Sequence, residues 1–244
     1  MFLLISIGPV APLFLFFAKT MFLTVFGQKG GVAKTCTSIH LASVWANQGF
    51  AVCVVDADRN RSATAYAARG MLPFDVVPVE AAAKATRTAQ VIITDGQASS
   101  NDDELRNLSA GADLVLLPTT PQARSVELTI ELSATLRRAG IAHAALLVKV
   151  DSRKQRLVED ARQTMEGFDV DVLDAEIPLL AAFDKAEVEG VCVSDAVDHR
   201  GRADLRPDGG MDCLLRCCPT DQCTSGSCTT RSPQCLSSRL KNGR

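Results

Sequence analysis

No cysteine falls between positions 54 and 191 of this 244-residue chain. Secreted frameworks spread paired cysteines through the fold, so so long a stretch without a thiol reads as cytosolic and reduced. Aromatic residues make up only 5%, and glycine and proline follow no period, a pattern that excludes collagen and fits a coiled coil badly. The formal charge of −2 leaves no globally basic nucleic-acid binder. Residues 1 to 18, MFLLISIGPVAPLFLFFA, carry no charge at all. That run reaches the length of a membrane span, but Gly8, Pro9 and Pro12 interrupt any helix through it. It lacks a basic lead-in, and Phe16-Phe17-Ala18 is no small-x-small cleavage site. Residues 1–20 are therefore expected to be a hydrophobic extension outside the fold, with Met21 the better start. At the other end periodicity stops after about Arg206. Cys, Ser, Thr, Arg and Pro dominate there, the cysteines from Cys213 to Cys235 match no zinc spacing, and residues 199–244 are expected to be a disordered tail.

What remains, residues 21–198, holds 17 basic and 24 acidic side chains, net −7. Its pattern alternates. Phe22 to Phe26 is a short apolar run ending in Gly27, and Ile39, Ala42, Trp45 and Ala46 give Thr35 to Gln48 helical spacing before Gly49. Further strands are expected at 51–55, 74–79, 91–94, 114–117 and 144–150. Helices are expected at 63–69, 81–86, 102–109, 125–139 and 155–166. Several strands are unbroken apolar runs, as parallel strands covered on both faces require. The reading is α/β: a doubly wound, mostly parallel sheet, whose ligands sit at the carboxyl ends of the strands.

Between the first strand and the first helix stands Gly27-Gln28-Lys29-Gly30-Gly31-Val32-Ala33-Lys34-Thr35. Phosphates need backbone N–H groups at a helix start, glycines that let the chain curl, a lysine on the β and γ oxygens and a hydroxyl on magnesium. Lys34 and Thr35 supply the last two. The ordinary pattern GxxxxGK[ST] fails, because Gln28 and Ala33 occupy its glycine positions. The loop resembles instead the deviant Walker A motif, KGGxxK[ST], of the ParA/MinD family of ATPases, matching at Lys29, Gly30, Gly31, Lys34 and Thr35. Two more stations follow in order: Val54-Val55-Asp56-Ala57-Asp58, similar to the family's first switch, and Val91-Ile92-Ile93-Thr94-Asp95-Gly96, similar to its Walker B strand. Arg59-Asn60-Arg61 departs from the family's Pro-Gln-Gly after the switch.

The resemblance implies a P-loop NTPase-like fold using ATP and Mg2+. It implies that Lys29, Gly30, Gly31, Val32, Ala33, Lys34, Thr35 and Cys36 form the nucleotide loop. Lys34 would neutralise phosphate, and Thr35 and Asp95 would serve magnesium with Asp56 near its shell. Asp58 would orient the attacking water, and Lys29 would reach the nucleotide of a partner copy. Capping a strand end is the other reading of Asp56 and Asp58. Gln97 is read as a turn residue, with a water-positioning group as the alternative. The cysteine gap excludes iron–sulfur and thiol-based relatives, and the tail shows no amphipathic helix for a membrane. What remains is the ParA-like partition branch: a homodimer in the ATP state, nonspecific DNA, a ParB-like adaptor, and a cytoplasmic, nucleoid-associated place. Between Arg137 and Arg162 seven basic residues face three acidic ones, and Arg153, Lys154 and Arg156 are the expected DNA contacts, made to backbone because no aromatic is interleaved. Two other readings stay open, a dethiobiotin-synthase-like ligase and a nucleotide-binding module with impaired hydrolysis.

Overall fold

The computed structural model describes residues 20–98, 105, 107 and 109–196. The expected extension (residues 1–20, save Thr20), most of the expected helix at 102–109 and the tail lie outside the described residues. Seven strands form one sheet: β1 (Met21–Gly27), β2 (Val52–Asp56), β3 (Asp75–Pro78), β4 (Val91–Ala98), β5 (Leu114–Thr119), β6 (His143–Val150) and β7 (Val172–Pro178). Their order is β3-β2-β4-β1-β5-β6-β7, and every neighbouring pair is parallel. The chain therefore winds outward from β1 in both directions, and the crevice at the reversal of strand order lies at the carboxyl end of β1.

The helices are α1 (Lys34–Asn47), α2 (Ser62–Ala67), α3 (Ala82–Ala85), α4 (Ala123–Arg138), α5 (Gln155–Gly167) and α6 (Ala181–Glu189). Ile39, Ala42 and Trp45 of α1 and Tyr66 of α2 pack with Val25, Val54 and Ile93, and Phe183 of α6 closes against the same cluster. On the opposite face Leu132 and Leu136 of α4 cover Phe26 and Leu117, Met165 of α5 covers Leu147, and Ala82 and Ala85 of α3 cover Val55 and Ile92. Covered on both sides, β1, β2, β5 and β6 are buried almost throughout, which is why their sequences read as unbroken apolar runs.

The structure differs from the sequence expectation in one boundary and two added elements. β4 continues through Asp95-Gly96-Gln97 to Ala98, so Gln97 is a strand residue and not a turn residue. β7 and α6, which periodicity did not announce, add an edge strand and a helix.

Packing α1 between the sheet and two other helices puts His40 at 0% exposure with both ring nitrogens lacking a hydrogen bond. Its ring stacks on Phe183 at 5.0 Å and meets Tyr66 edge-on at 6.3 Å. Burial pushes its pKa down to about 4. The unfolded chain takes up this proton near pH 6.5. The stabilisation from neutral His40 is thus full above pH 6.5 and is lost as pH falls toward 4, by on the order of 3 kcal/mol. Asp95, pushed up to about 6, works in the opposite sense, since its folded form gains a proton first as pH falls. Comparison of His40→Leu with wild type isolates the histidine: melting temperature should fall less between pH 6.5 and 4.5 in the variant. Parallel curves would assign the acid sensitivity elsewhere.

Candidate nucleotide site

The chain leaving β1 turns through Gly31, at φ 74°, and Ala33, at φ 57°, before α1 begins. Ala33 takes the left-handed conformation that the ordinary phosphate-loop pattern gives to glycine, at a cost of about 1–2 kcal/mol. No side chain caps α1, and its first turn holds no acidic residue, so the donors there point at a space suited to an anion. Val32 is buried beneath the loop and anchors it in the core.

Lys34, only 8% exposed, lays its Nζ 3.1 Å from the Lys29 carbonyl oxygen, to which it donates. Burial lowers its pKa, and the charges of Asp95 and Asp58 pull it back up. Thr35 Oγ1 donates to Asp95 Oδ2 at 2.8 Å, and Ser38 Oγ donates to Asp95 Oδ1 at 2.8 Å. Asp95 is fully buried; burial raises its pKa to about 6 even though both hydroxyls favour the ionised form. Ser38 was absent from the sequence candidates. Its signal was available, since it stands one helical turn beyond Lys34 and Thr35 on the same face.

The two switch carboxylates separate. Asp56 Oδ2 accepts from the Thr64 backbone N–H at 2.8 Å and its hydroxyl at 2.7 Å, and Oδ1 accepts from the Asp58 N–H at 3.1 Å. These bonds tie Asp56 to α2, in keeping with the capping reading; it is buried and does not line the cleft, and it pairs with Asp95 across β2 and β4. Asp58 does line it, while accepting from Asn60 N–H at 3.0 Å.

The cleft measures about 450 Å³. Gly30, Gly31, Ala33, Lys34, Thr35 and Cys36 form one wall, Asp58 and Gln97 stand over the strand ends, and Leu180, Phe183 and Glu187 form the far wall. Burial raises the Cys36 thiol to about 12, so it lines the cleft as a neutral group. Lys29 is exposed and does not line this cleft, which leaves it free to face outward. Lys149 enters unexpectedly: at a left-handed bulge of β6 (φ 54°) its Nζ donates to the Gly31 oxygen at 2.9 Å. A magnesium nucleotide fits these donors. Lys34 and the start of α1 suit phosphate oxygens, and the Thr35 hydroxyl beside Asp95 offers the hard oxygens that magnesium takes.

Residues 23–193 match the family model of the CobQ/CobB/MinD/ParA nucleotide binding domain. The chain belongs to this family. It is 29% identical over 180 residues to the maintenance of carboxysome distribution protein A of Gloeobacter kilaueensis, covering 69% of this chain and 82% of that protein. It is 30% identical over 142 residues to the protein ParA of Rhizobium radiobacter, covering 52% of this chain and 63% of the relative. The septum site-determining protein MinD of Pyrococcus horikoshii, solved with Mg-ADP, shares the fold at a TM-score of 0.57 and 18% identity, covering 76% of this chain and 91% of that one.

Among CobQ/CobB/MinD/ParA domains this one carries Arg61 where the resemblance placed a glycine, and the structure shows what the position demands. Arg61 adopts φ 53° at the start of α2. Its guanidinium donates to the Asp56 carbonyl oxygen at 3.1 Å and pairs with Glu80, contacts that offset the backbone strain.

The basic stretch from 137 to 162 does not form one surface. Arg137 is bound to the Phe168 and Asp169 carbonyls, Arg162 is held by Glu176 and the Leu173 carbonyl, and Lys149 serves the loop. Arg153, Lys154 and Arg156 remain exposed together where α5 begins, at the carboxyl-end face of the sheet. Arg153 is there partly neutralised by a bidentate pair with Asp151, both contacts 2.9 Å. Among the described residues no helix is long and apolar enough to cross a membrane.

Proposed function

We propose that this chain is a ParA-like ATPase that dimerises on Mg-ATP, holds nonspecific DNA in that state and, stimulated by a ParB-like adaptor, drives plasmid or chromosome partition or the spacing of cargo in the cytoplasm. One observation carries the reading: Lys34, Thr35 and Asp58 line one cleft, with Asp95 buried behind it and bonded to the Thr35 hydroxyl. Lys34 would bind the β and γ oxygens and balance charge as the terminal phosphoryl leaves. Thr35 and Asp95 would hold the magnesium, which supplies charge neutralisation between the phosphates. Asp58, at the cleft edge, would orient the attacking water. Lys29, exposed beside the loop, would reach the second copy's nucleotide. The relatives named carboxysome distribution protein and ParA support a positioning or partition role.

Arg153, Lys154 and Arg156 would contact DNA backbone. Each phosphate contact releases condensed counterion, worth about 0.9 in the slope of log affinity against log salt. Since Asp151 already neutralises Arg153, changing all three to Ala should lower that slope by roughly 2, weaken binding to unrelated duplexes alike and leave ATP binding unchanged. Equal affinity of the triple variant across a salt titration, with ATP present, would place the DNA surface elsewhere.

A further inference from the structure

The far wall of the cleft is fastened to the switch. Tyr66 of α2, 2% exposed, donates its hydroxyl to the Val191 carbonyl oxygen just beyond α6, at 2.8 Å. Arg69 donates to the Glu187 carbonyl at 2.7 Å, and Gly70 lies against the backbone of Glu189 and Gly190. At its other end α2 receives the switch: Thr64 binds Asp56 through two hydrogen bonds, and Ser62 Oγ donates to Asp58 Oδ2 at 3.4 Å. α2 is only six residues long and carries Ser62 and Thr64 of one set and Tyr66 of the other, so it forms a short strut between switch and far wall. Phe183 of the same α6 lines the cleft and stacks on His40, whose helix begins with Lys34.

We infer that Tyr66 is a positioning residue of the hydrolytic step: by pinning α2 to the end of α6 it sets Asp58 relative to the Lys34–Thr35 loop. The inference rests on the ATPase reading above. α6 and the switch then move as one body, and a nucleotide seated against Phe183 orders Asp58. The Tyr66 ring stays packed in Tyr66→Phe while its one bond to Val191 is lost, so the fold is retained and the strut is loosened.

The test uses the full chain with Mg-ATP and measures ATP affinity with a fluorescent analogue, turnover by phosphate release, and amide hydrogen exchange of residues 56–64. Tyr66→Phe should bind ATP within about two-fold of wild type, with KM nearly unchanged and kcat lowered about ten-fold. Exchange across 56–64 in the ATP state should quicken. If Tyr66 acts through Asp58, Tyr66→Phe in an Asp58→Asn background should slow turnover no further. Wild-type kcat and exchange in Tyr66→Phe, or effects of the two substitutions that multiply, would overturn the positioning role. A wild-type chain that releases no phosphate overturns the ATPase reading itself, and unchanged exchange at 56–64 in Tyr66→Phe would then overturn the strut separately.

Discussion

Replacing Lys34 with Ala should cut ATP affinity by roughly 100-fold, the loss of about 3 kcal/mol expected when a charge-assisted contact to phosphate disappears. The free chain should hardly notice. Lys34 is buried with a single hydrogen bond, to the Lys29 carbonyl, and burial already lowers its pKa, so the ammonium contributes little to folding. Its removal takes away a desolvated charge, although Asp95 and Asp58 lose a neighbouring cation. Melting temperature without nucleotide should therefore stay within about 3 °C of wild type, while the shift produced by Mg-ATP vanishes, since only a ligand bound to the native state raises stability. A variant that keeps its ATP-dependent shift would remove Lys34 from the phosphate site.

The second large effect is on folding. A Cβ at Gly70 would lie 2.3 Å from the Glu189 oxygen and 2.6 Å from the Gly190 oxygen, both backbone atoms that cannot rotate aside. Gly190, in turn, adopts φ 67° and would place a Cβ 2.4 Å from Gly70 N. Gly70→Ala must push α2 away from α6, at about 3 kcal/mol. For a domain of this size that lowers melting temperature by roughly 10 °C. Gly30→Ala provides the contrast, because nothing lies within 4 Å of its Cβ and its φ is not left-handed; its melting should match wild type. Similar melting temperatures for Gly70→Ala and Gly30→Ala would show that the seam between α2 and α6 yields easily.

Much of this arrangement was legible in the sequence because burial on both faces writes itself as unbroken apolar runs. β1, β2, β5 and β6 show that pattern and stand close to where it placed them. β7 was hidden for the converse reason. As the sheet edge it is only half covered, so Asp174 and Glu176 interrupt its apolar residues and the period becomes too weak to read. The order of the motif stations carries them to neighbouring strand ends, where Lys34, Thr35 and Asp58 line one cleft and Asp95 bonds Thr35 from behind it. The resemblance gave Asp56 and Asp58 different roles, but the capping reading fell on both alike. Only the turn into α2 decides that one carboxylate caps Thr64 while the other faces the cleft. Lys149 and the Tyr66–Val191 bond were beyond reach, since each joins residues more than a hundred positions apart. The charge count between Arg137 and Arg162 misled in part, because a linear sum cannot tell a guanidinium holding carbonyls, as at Arg137, from one facing solvent, as at Arg156.

Phosphate release from Mg-ATP by the purified chain and by Asp58→Asn, with and without duplex DNA, tests the hydrolytic site most directly. Asparagine still accepts from Asn60 N–H, so the turn survives while the charge at the cleft and the 3.4 Å bond from Ser62 are lost. The expected result is magnesium-dependent release by the wild-type chain, and release at least ten-fold slower by Asp58→Asn with ATP affinity unchanged. Equal rates from the two proteins, or no release from wild type under any of these conditions, would contradict it.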